Sequence, residues 1–395
     1  MSRNVRPVAR DSAHETAILR LWVAVVLFLA SLLAIMPAQT YYLWKASIAG
    51  AELGHIVAIA ALFTLLIPGW WRTIIGQLAG GITVVALALA ISPLARAWSA
   101  TRDLDARLTS AFGAVPVDSV SSPLALRPLF EKADTSGVTV ATAIYARRGD
   151  TPLELDLYRA RADSTSAQPL VVTIHGGSWS SGEKTALPEL NYHLAREGYT
   201  VAALGYRFAP DNPFPAATED VNTAIDYLKA HARQFRIDPS HVVLIGRSAG
   251  GQLALQSAYT KPDSSIRGVV ALYAPTDQQW GWDHPANLRV YDSYAVLRRF
   301  LNGEPSQVPE AYKRASPINY IGSHTIPTLL IHGRMDPLVS VQQSARLDSA
   351  LAAARRPHFF LELPWATHGC DYFFNGPCGQ VSRFAIDRFL KAVLH

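Results

Sequence analysis

The hexapeptide Gly246-Arg247-Ser248-Ala249-Gly250-Gly251 constrains this chain more than any other stretch, because it follows the apolar run 241–245 and opens a helix-like segment. A buried strand, a sharp turn and a helix in that order lift one serine hydroxyl above the end of a parallel sheet. The small residues permit the tight turn, and the backbone N–H after the serine faces any negative oxygen that forms there. A lone G-x-S-x-G arises often by chance, so the rest of the chain has to supply partners for Ser248.

The surrounding pattern is that of a sheet wrapped by helices. From Val138 onward, β-branched runs alternate with helical ones. Segments 138–145 and 153–158 read as antiparallel edge strands. Strands at 170–174, 200–205, 241–245, 268–273, 328–331 and 358–361 then alternate with helices at 187–197, 216–234, 250–259, 341–354 and 381–393. The expected fold class is α/β, a mostly parallel sheet with helices on both faces and a site at the carboxyl ends of the strands.

A serine nucleophile needs a base, a group that orients the base, and donors for the oxyanion. His368 stands in Ala366-Thr367-His368-Gly369, after the last strand and before the last helix. Asp336 follows the strand at 328–331, with Asp277 as the runner-up acid. The chain order Ser248, Asp336, His368 is that of the α/β-hydrolase template. Strand 170–174 runs into His175-Gly176-Gly177-Ser178-Trp179, whose glycines leave backbone N–H groups free. The oxyanion hole is expected from this loop (Gly176, Gly177, Ser178) together with Ala249. His175 and His332 are expected to hold their loops, and no metal or cofactor is called for.

Together with Ser181-Gly182-Glu183-Lys184, Gly205-Tyr206-Arg207-Phe208-Ala209-Pro210, Phe214-Pro215-Ala216 and Asp238-Pro239, these motifs resemble the hormone-sensitive-lipase-like α/β hydrolases. The resemblance is strongest to the carboxylesterase branch with feruloyl-esterase-like, kynurenine-formamidase-like and prenylcysteine-methylesterase-like enzymes. It covers about residue 153 to the C-terminus. It implies Ser248, Asp336 and His368 as the catalytic triad and the 176–178 loop as the oxyanion hole. Ser178 stands where many relatives have a third glycine, which implies a smaller acyl pocket.

The first hundred residues fall outside that resemblance. Charged residues make up 17% of the chain and hydrophobic ones 49%, an apolar excess concentrated at the N-terminus. Apolar segments at about 18–36, 48–67 and 73–92 each approach the roughly 20 residues that span a bilayer. The expected layout is a membrane region at 1–95, a linker at 96–136 and a hydrolase domain at 137–395. Glu52 and His55 are expected to face water near one end of the second span. Arg3, Arg6, Arg10 and Arg20 before the first span place the N-terminus in the cytoplasm and the hydrolase domain outside the inner membrane; Arg96, Arg102 and Arg107 argue the other way. Cys370 and Cys378, the only cysteines, suit a disulfide in an oxidising compartment. The net charge of +5 is scattered, which excludes a nucleic-acid reader.

Substrate is less legible. Segment 276–316 reads as a lid or pocket wall, and Trp179, Arg247, Trp280 and Trp282 are candidate pocket residues; for Arg247 a bond to a neighbouring loop is the alternative. A small ester, an acylated glycan or a lipid at the bilayer is the expected substrate. An amidase, arylformamidase or peptidase of the same fold, and a non-catalytic membrane scaffold, are the alternatives. Oligomeric state is left open.

Overall fold

The computed structural model describes residues 8–115, 122–161 and 166–394, with side chains from His14 onward. Arg3 and Arg6 of the topology argument lie outside the described residues.

The N-terminal region holds α1 (Val8–Leu32), α2 (Tyr41–Glu52), α3 (Gly54–Leu66) and α4 (Ile74–Thr101). Among the described residues, 14–32 of α1 and the whole of α4 are long and apolar enough to cross a membrane. The expected second span is not one helix: α2 and α3 meet at 68° across Leu53. The break has a physical reason at each side. Glu52 is fully buried and accepts the Cys378 N–H at 2.8 Å, which binds the end of α2 to the C-terminal domain. Gly54 instead lies close against the Ala90 carbonyl of α4, and α3 packs along that helix. Glu52 and His55 are therefore both buried, not the water-facing pair expected. At the far end of α3, the Pro68 carbonyl accepts from Arg20 of α1.

Helix α4 runs past its expected end at 92 and continues through Pro93. Proline has no N–H to give to the carbonyl four residues back, and the Ser92 hydroxyl donates to that Leu89 carbonyl at 2.8 Å. Helix α5 (Leu104–Phe112) lies within the segment read as a linker, yet it does not stand free. Leu104 and Leu108 are buried, Phe112 packs edge-on against Phe389, and Asp105 pairs with Arg388. This part of the segment read as a linker is thus packed onto the C-terminal helix.

The sheet comprises β1 (Val138–Arg148), β2 (Thr151–Ala160), β3 (Gln168–Ile174), β4 (Thr200–Leu204), β5 (Ile237–Arg247), β6 (Ile266–Leu272), β7 (Thr328–Gly333) and β8 (His358–Leu363). Their spatial order is β1-β2-β4-β3-β5-β6-β7-β8, with β1 and β2 antiparallel and β3 to β8 parallel. The helices that follow the strands are α6 (Glu189–Arg196), α7 (Ala216–Ala230), α8 (Ala232–Phe235), α9 (Ala249–Thr260), α10 (Gln278–Asp283), α11 (Ser293–Leu301), α12 (Pro309–Arg314), α13 (Gln342–Ala353) and α14 (Pro377–Leu394). β3, β5 and β6 are buried on both faces, which is why they read as continuous apolar runs rather than alternating ones. Segment 276–316 carries α10, α11 and α12, and its first part lines a cavity bordered by Ser248.

Candidate active site

Ser248 sits between β5 and α9 with φ 53° and ψ −121°, a strained conformation for a residue with a side chain. The strain is held by close packing below it. A Cβ on Gly250 would run into the carbonyl oxygens of Ile174 and His175, so only glycine lets α9 start this near β3. The Ser248 N–H is fixed to the Leu272 carbonyl at 2.9 Å. The hydroxyl is thereby raised above the sheet end.

His368 and Asp336 meet Ser248 in one chain of hydrogen bonds. His368 Nε2 lies 3.0 Å from Ser248 Oγ, and its Nδ1 lies 2.6 Å from Asp336 Oδ2. A carboxylate accepts only, so Nδ1 carries the proton and Nε2 is left as an acceptor facing the serine. Asp336 is itself fully engaged: Oδ1 accepts the N–H groups of Leu338 and Val339 at 2.8 and 2.9 Å. His332 Nε2 sits 3.1 Å from Oδ2 and 3.0 Å from the Val339 carbonyl, two acceptors that require a proton on that nitrogen as well. Burial alone would raise the Asp336 pKa, but the charge of His368 and the hydrogen bonds from His332 and His368 outweigh it and hold the carboxyl down at about 2. Asp277, the runner-up acid, caps α10 at Trp280 and pairs with Arg346.

The loop after β3 turns back sharply, with Gly177 at φ 125°, Ser178 at 58° and Trp179 at 55°. A Cβ on Gly177 would strike the Ser181 carbonyl. The N–H groups of Gly177, Ser178 and Ala249 take no hydrogen-bond partner among the described residues. The Ser178 hydroxyl is bonded to that of Tyr291, in the segment between α10 and α11. His175 stacks on Tyr206 and bonds the Gly176 carbonyl, a loop-holding role as expected.

Known proteins similar to this chain include esterases. The BD-FAE family matches residues 155–351. The probable carboxylic ester hydrolase LipM of Mycobacterium tuberculosis is 30% identical over 256 residues, 60% of this chain and 58% of its own length. Esterase LipC of the same organism is 29% identical, with 62% of this chain and 64% of its own length aligned. The chain thus spans less than two thirds of either relative. Among solved structures, a bacterial heroin esterase superposes with TM-score 0.58 at 22% identity over 66% of this chain and 86% of its own. Esterase B from Lactobacillus rhamnosis gives 0.56 at 20% identity over 76% and 94%. The fold is that of the α/β hydrolases.

Two cavities border Ser248. One of about 270 Å³ is bordered by Leu187, Arg247, Tyr273, His368 and Gly369. The other, about 60 Å³, is bordered by Trp179, Ala249, Gly281, Val296, Leu297 and Gln343. Ser178, Ser248 and Tyr291 belong to both.

The candidate pocket residues fare unevenly. Trp179 lines the smaller cavity, but from inside: it is buried, stacked on Phe300 at 3.9 Å, with its indole N–H on Gln252. Arg247 borders the larger cavity while its Nε pairs with Asp371, the loop-bonded alternative. Trp280 and Trp282 line neither cavity. Gly281 between them does, because on α10 its neighbours point elsewhere, Trp280 onto His284 and Trp282 onto Tyr294 and Tyr312. Sequence reasoning missed Tyr273 and Asp371, which have no motif around them, whereas Tyr291 lies in the segment 276–316 read as a lid or pocket wall and lines both cavities. Cys370 and Cys378 are joined as a disulfide.

Proposed function

We propose that this chain is a membrane-anchored serine carboxylic-ester hydrolase in which Ser248 is the nucleophile, His368 the general base and Asp336 the residue that orients it. The observation that carries the reading is the continuous Ser248–His368–Asp336 hydrogen-bond chain facing unpartnered N–H groups. As Ser248 Oγ attacks the ester carbonyl, its proton passes to His368 Nε2. The N–H groups of Gly177, Ser178 and Ala249 stabilise the oxyanion, and Gly176 lets their loop lie against Ser248. His368 then protonates the leaving alkoxide. A water deprotonated by His368 attacks the acyl-enzyme, and the acid leaves as Ser248 regains its proton.

The same step orients the substrate. The leaving oxygen must face His368, so the alcohol part occupies the 270 Å³ cavity and the acyl part the 60 Å³ one. A volume that holds only a few water-sized groups suits a short acyl chain. Labelling of Ser248 by a fluorophosphonate probe, with turnover of p-nitrophenyl acetate lost in Ser248→Ala, tests the assignment. An unlabelled serine would refute it.

The division into a membrane region at 1–95, a connecting segment at 96–136 and a hydrolase domain at 137–395 belongs to the same reading. Helices α1 and α4 are its membrane spans. α3, 13 residues or about 20 Å long, supplies the return traverse, since Gly54 at its start lies against Ala90 of α4 and Pro68, two residues past its end, accepts from Arg20 of α1. With three traverses the N-terminus is cytoplasmic and the hydrolase domain extracytoplasmic, where the disulfide suits the redox state. Activity of a periplasmic reporter fused after Thr101, with none in the cytoplasm, is the expected result.

A further inference from the structure

Helix α2 places three side chains on one face, because Trp44, Ile48 and Glu52 recur every fourth residue. All three meet the loop between β8 and α14, and that loop carries His368. The Trp44 indole N–H donates to the His368 carbonyl at 3.1 Å, with the two rings 6.2 Å apart. Ile48 lies alongside Gly369. Glu52 accepts the Cys378 N–H and lies so close to Gly376 that a Cβ there would collide with it. The disulfide between Cys370 and Cys378 closes this loop on itself, so a contact at residue 378 also constrains residue 370, two positions from His368. On the other side of the cavities, the Ala38 carbonyl just before α2 accepts from Asn287, next to the small cavity's Ala286.

We infer that α2 is a working part of the hydrolase site, with Trp44 and Glu52 as positioning residues that fix the His368 loop through its backbone. The inference rests on His368 being the base. Neither residue touches Ser248, Asp336 or either cavity. Their effect runs through the register of the loop: His368 Nδ1 and Nε2 must hold Asp336 and Ser248 together, and a small displacement of the carbonyl of residue 368 turns the imidazole out of that line. Such displacements of about 1 Å reduce turnover by up to roughly a hundredfold without touching the substrate. The N-terminal region is on this account more than an anchor, and the hydrolase domain is complete only with α2 in place.

The experiment uses the full chain in lipid nanodiscs and p-nitrophenyl acetate. Trp44→Phe retains the ring and removes the N–H; Glu52→Ala removes the acceptor; Tyr42→Ala, on the exposed face of α2 at 82% exposure, is the control. The expected result is a fall in kcat of about tenfold in Trp44→Phe and in Glu52→Ala, with KM within about twofold of wild type, the signature of lost base positioning rather than lost binding. Thermal melting of each variant separates this from unfolding, and Trp44→Phe is expected to melt with the wild type. Wild-type kcat in a folded Trp44→Phe, with the wild-type serine labelled by the fluorophosphonate probe, overturns the inference alone. A wild-type serine that the probe does not label overturns both the inference and the ester-hydrolase reading.

Discussion

Arg247 Nε lies 2.5 Å from Asp371 Oδ2, an ion pair with both side chains nearly buried. It ties the residue before Ser248 to the loop three residues past His368. The Tyr273 hydroxyl donates to the other oxygen of the same carboxylate, and the Tyr273 ring lies 4.5 Å from the imidazole. The ends of β5 and β6 and the His368 loop are therefore braced at one carboxyl group.

Removing that carboxyl leaves a buried guanidinium uncompensated. Asp371→Ala is expected to cost about 3–5 kcal/mol in urea unfolding. Arg247→Met combined with Asp371→Leu is expected to recover part of that stability, because an apolar pair needs no desolvation. Equal losses in the single and double variants would show that the charge is not what matters.

The depressed pKa of Asp336 gives a pH dependence with a definite sign. Its folded value of about 2 lies below the ordinary 3.8, so the stabilisation is complete above pH 3.8 and disappears as the pH falls through about 2. It amounts to about 2 kcal/mol. Asp336→Asn cannot lose it, and the stability gap between wild type and variant should therefore narrow by that amount between pH 5 and pH 2. The same variant is expected to lower kcat about 10⁴-fold near neutral pH, because an amide no longer fixes the imidazole tautomer.

Acyl selectivity should follow the smaller cavity. Turnover of p-nitrophenyl esters is expected to fall steeply beyond butyryl. Leu297, which is 6% exposed and lines that cavity, is the residue to shorten. Leu297→Ala should raise the hexanoyl-to-acetyl ratio of kcat/KM about tenfold while costing about 2–3 kcal/mol of stability. An unchanged ratio would place the acyl group elsewhere.

The disulfide spans eight positions, and loop-closure entropy assigns it about 2–3 kcal/mol. Cys378→Ser should therefore lower the melting temperature under oxidising conditions and remove its sensitivity to dithiothreitol. Wild-type melting that ignores dithiothreitol would show that the bridge contributes nothing.

Strand and helix order, the strand–turn–helix around Ser248 and the three residues Ser248, Asp336 and His368 were legible in the sequence because each rests on a local rule. Buried parallel strands need continuous apolar runs, as in 242–245; the turn at 246–250 needs small residues; Asp336 and His368 fall after strand ends. What α5 packs against, why the segment 48–67 breaks at Leu53, and that Glu52 is buried are not local matters. They depend on α14 and the His368 loop arriving from more than 250 residues away, and no spacing within residues 40–112 encodes that contact. The same holds for Asp371, Tyr273 and Tyr291. Their types are common in any loop, and only the folded chain brings their polar atoms to Arg247 and Ser178. Composition marked Trp280 and Trp282 as pocket residues, but a helix of six residues faces the cavity with only part of its circumference, and the glycine between them holds that place.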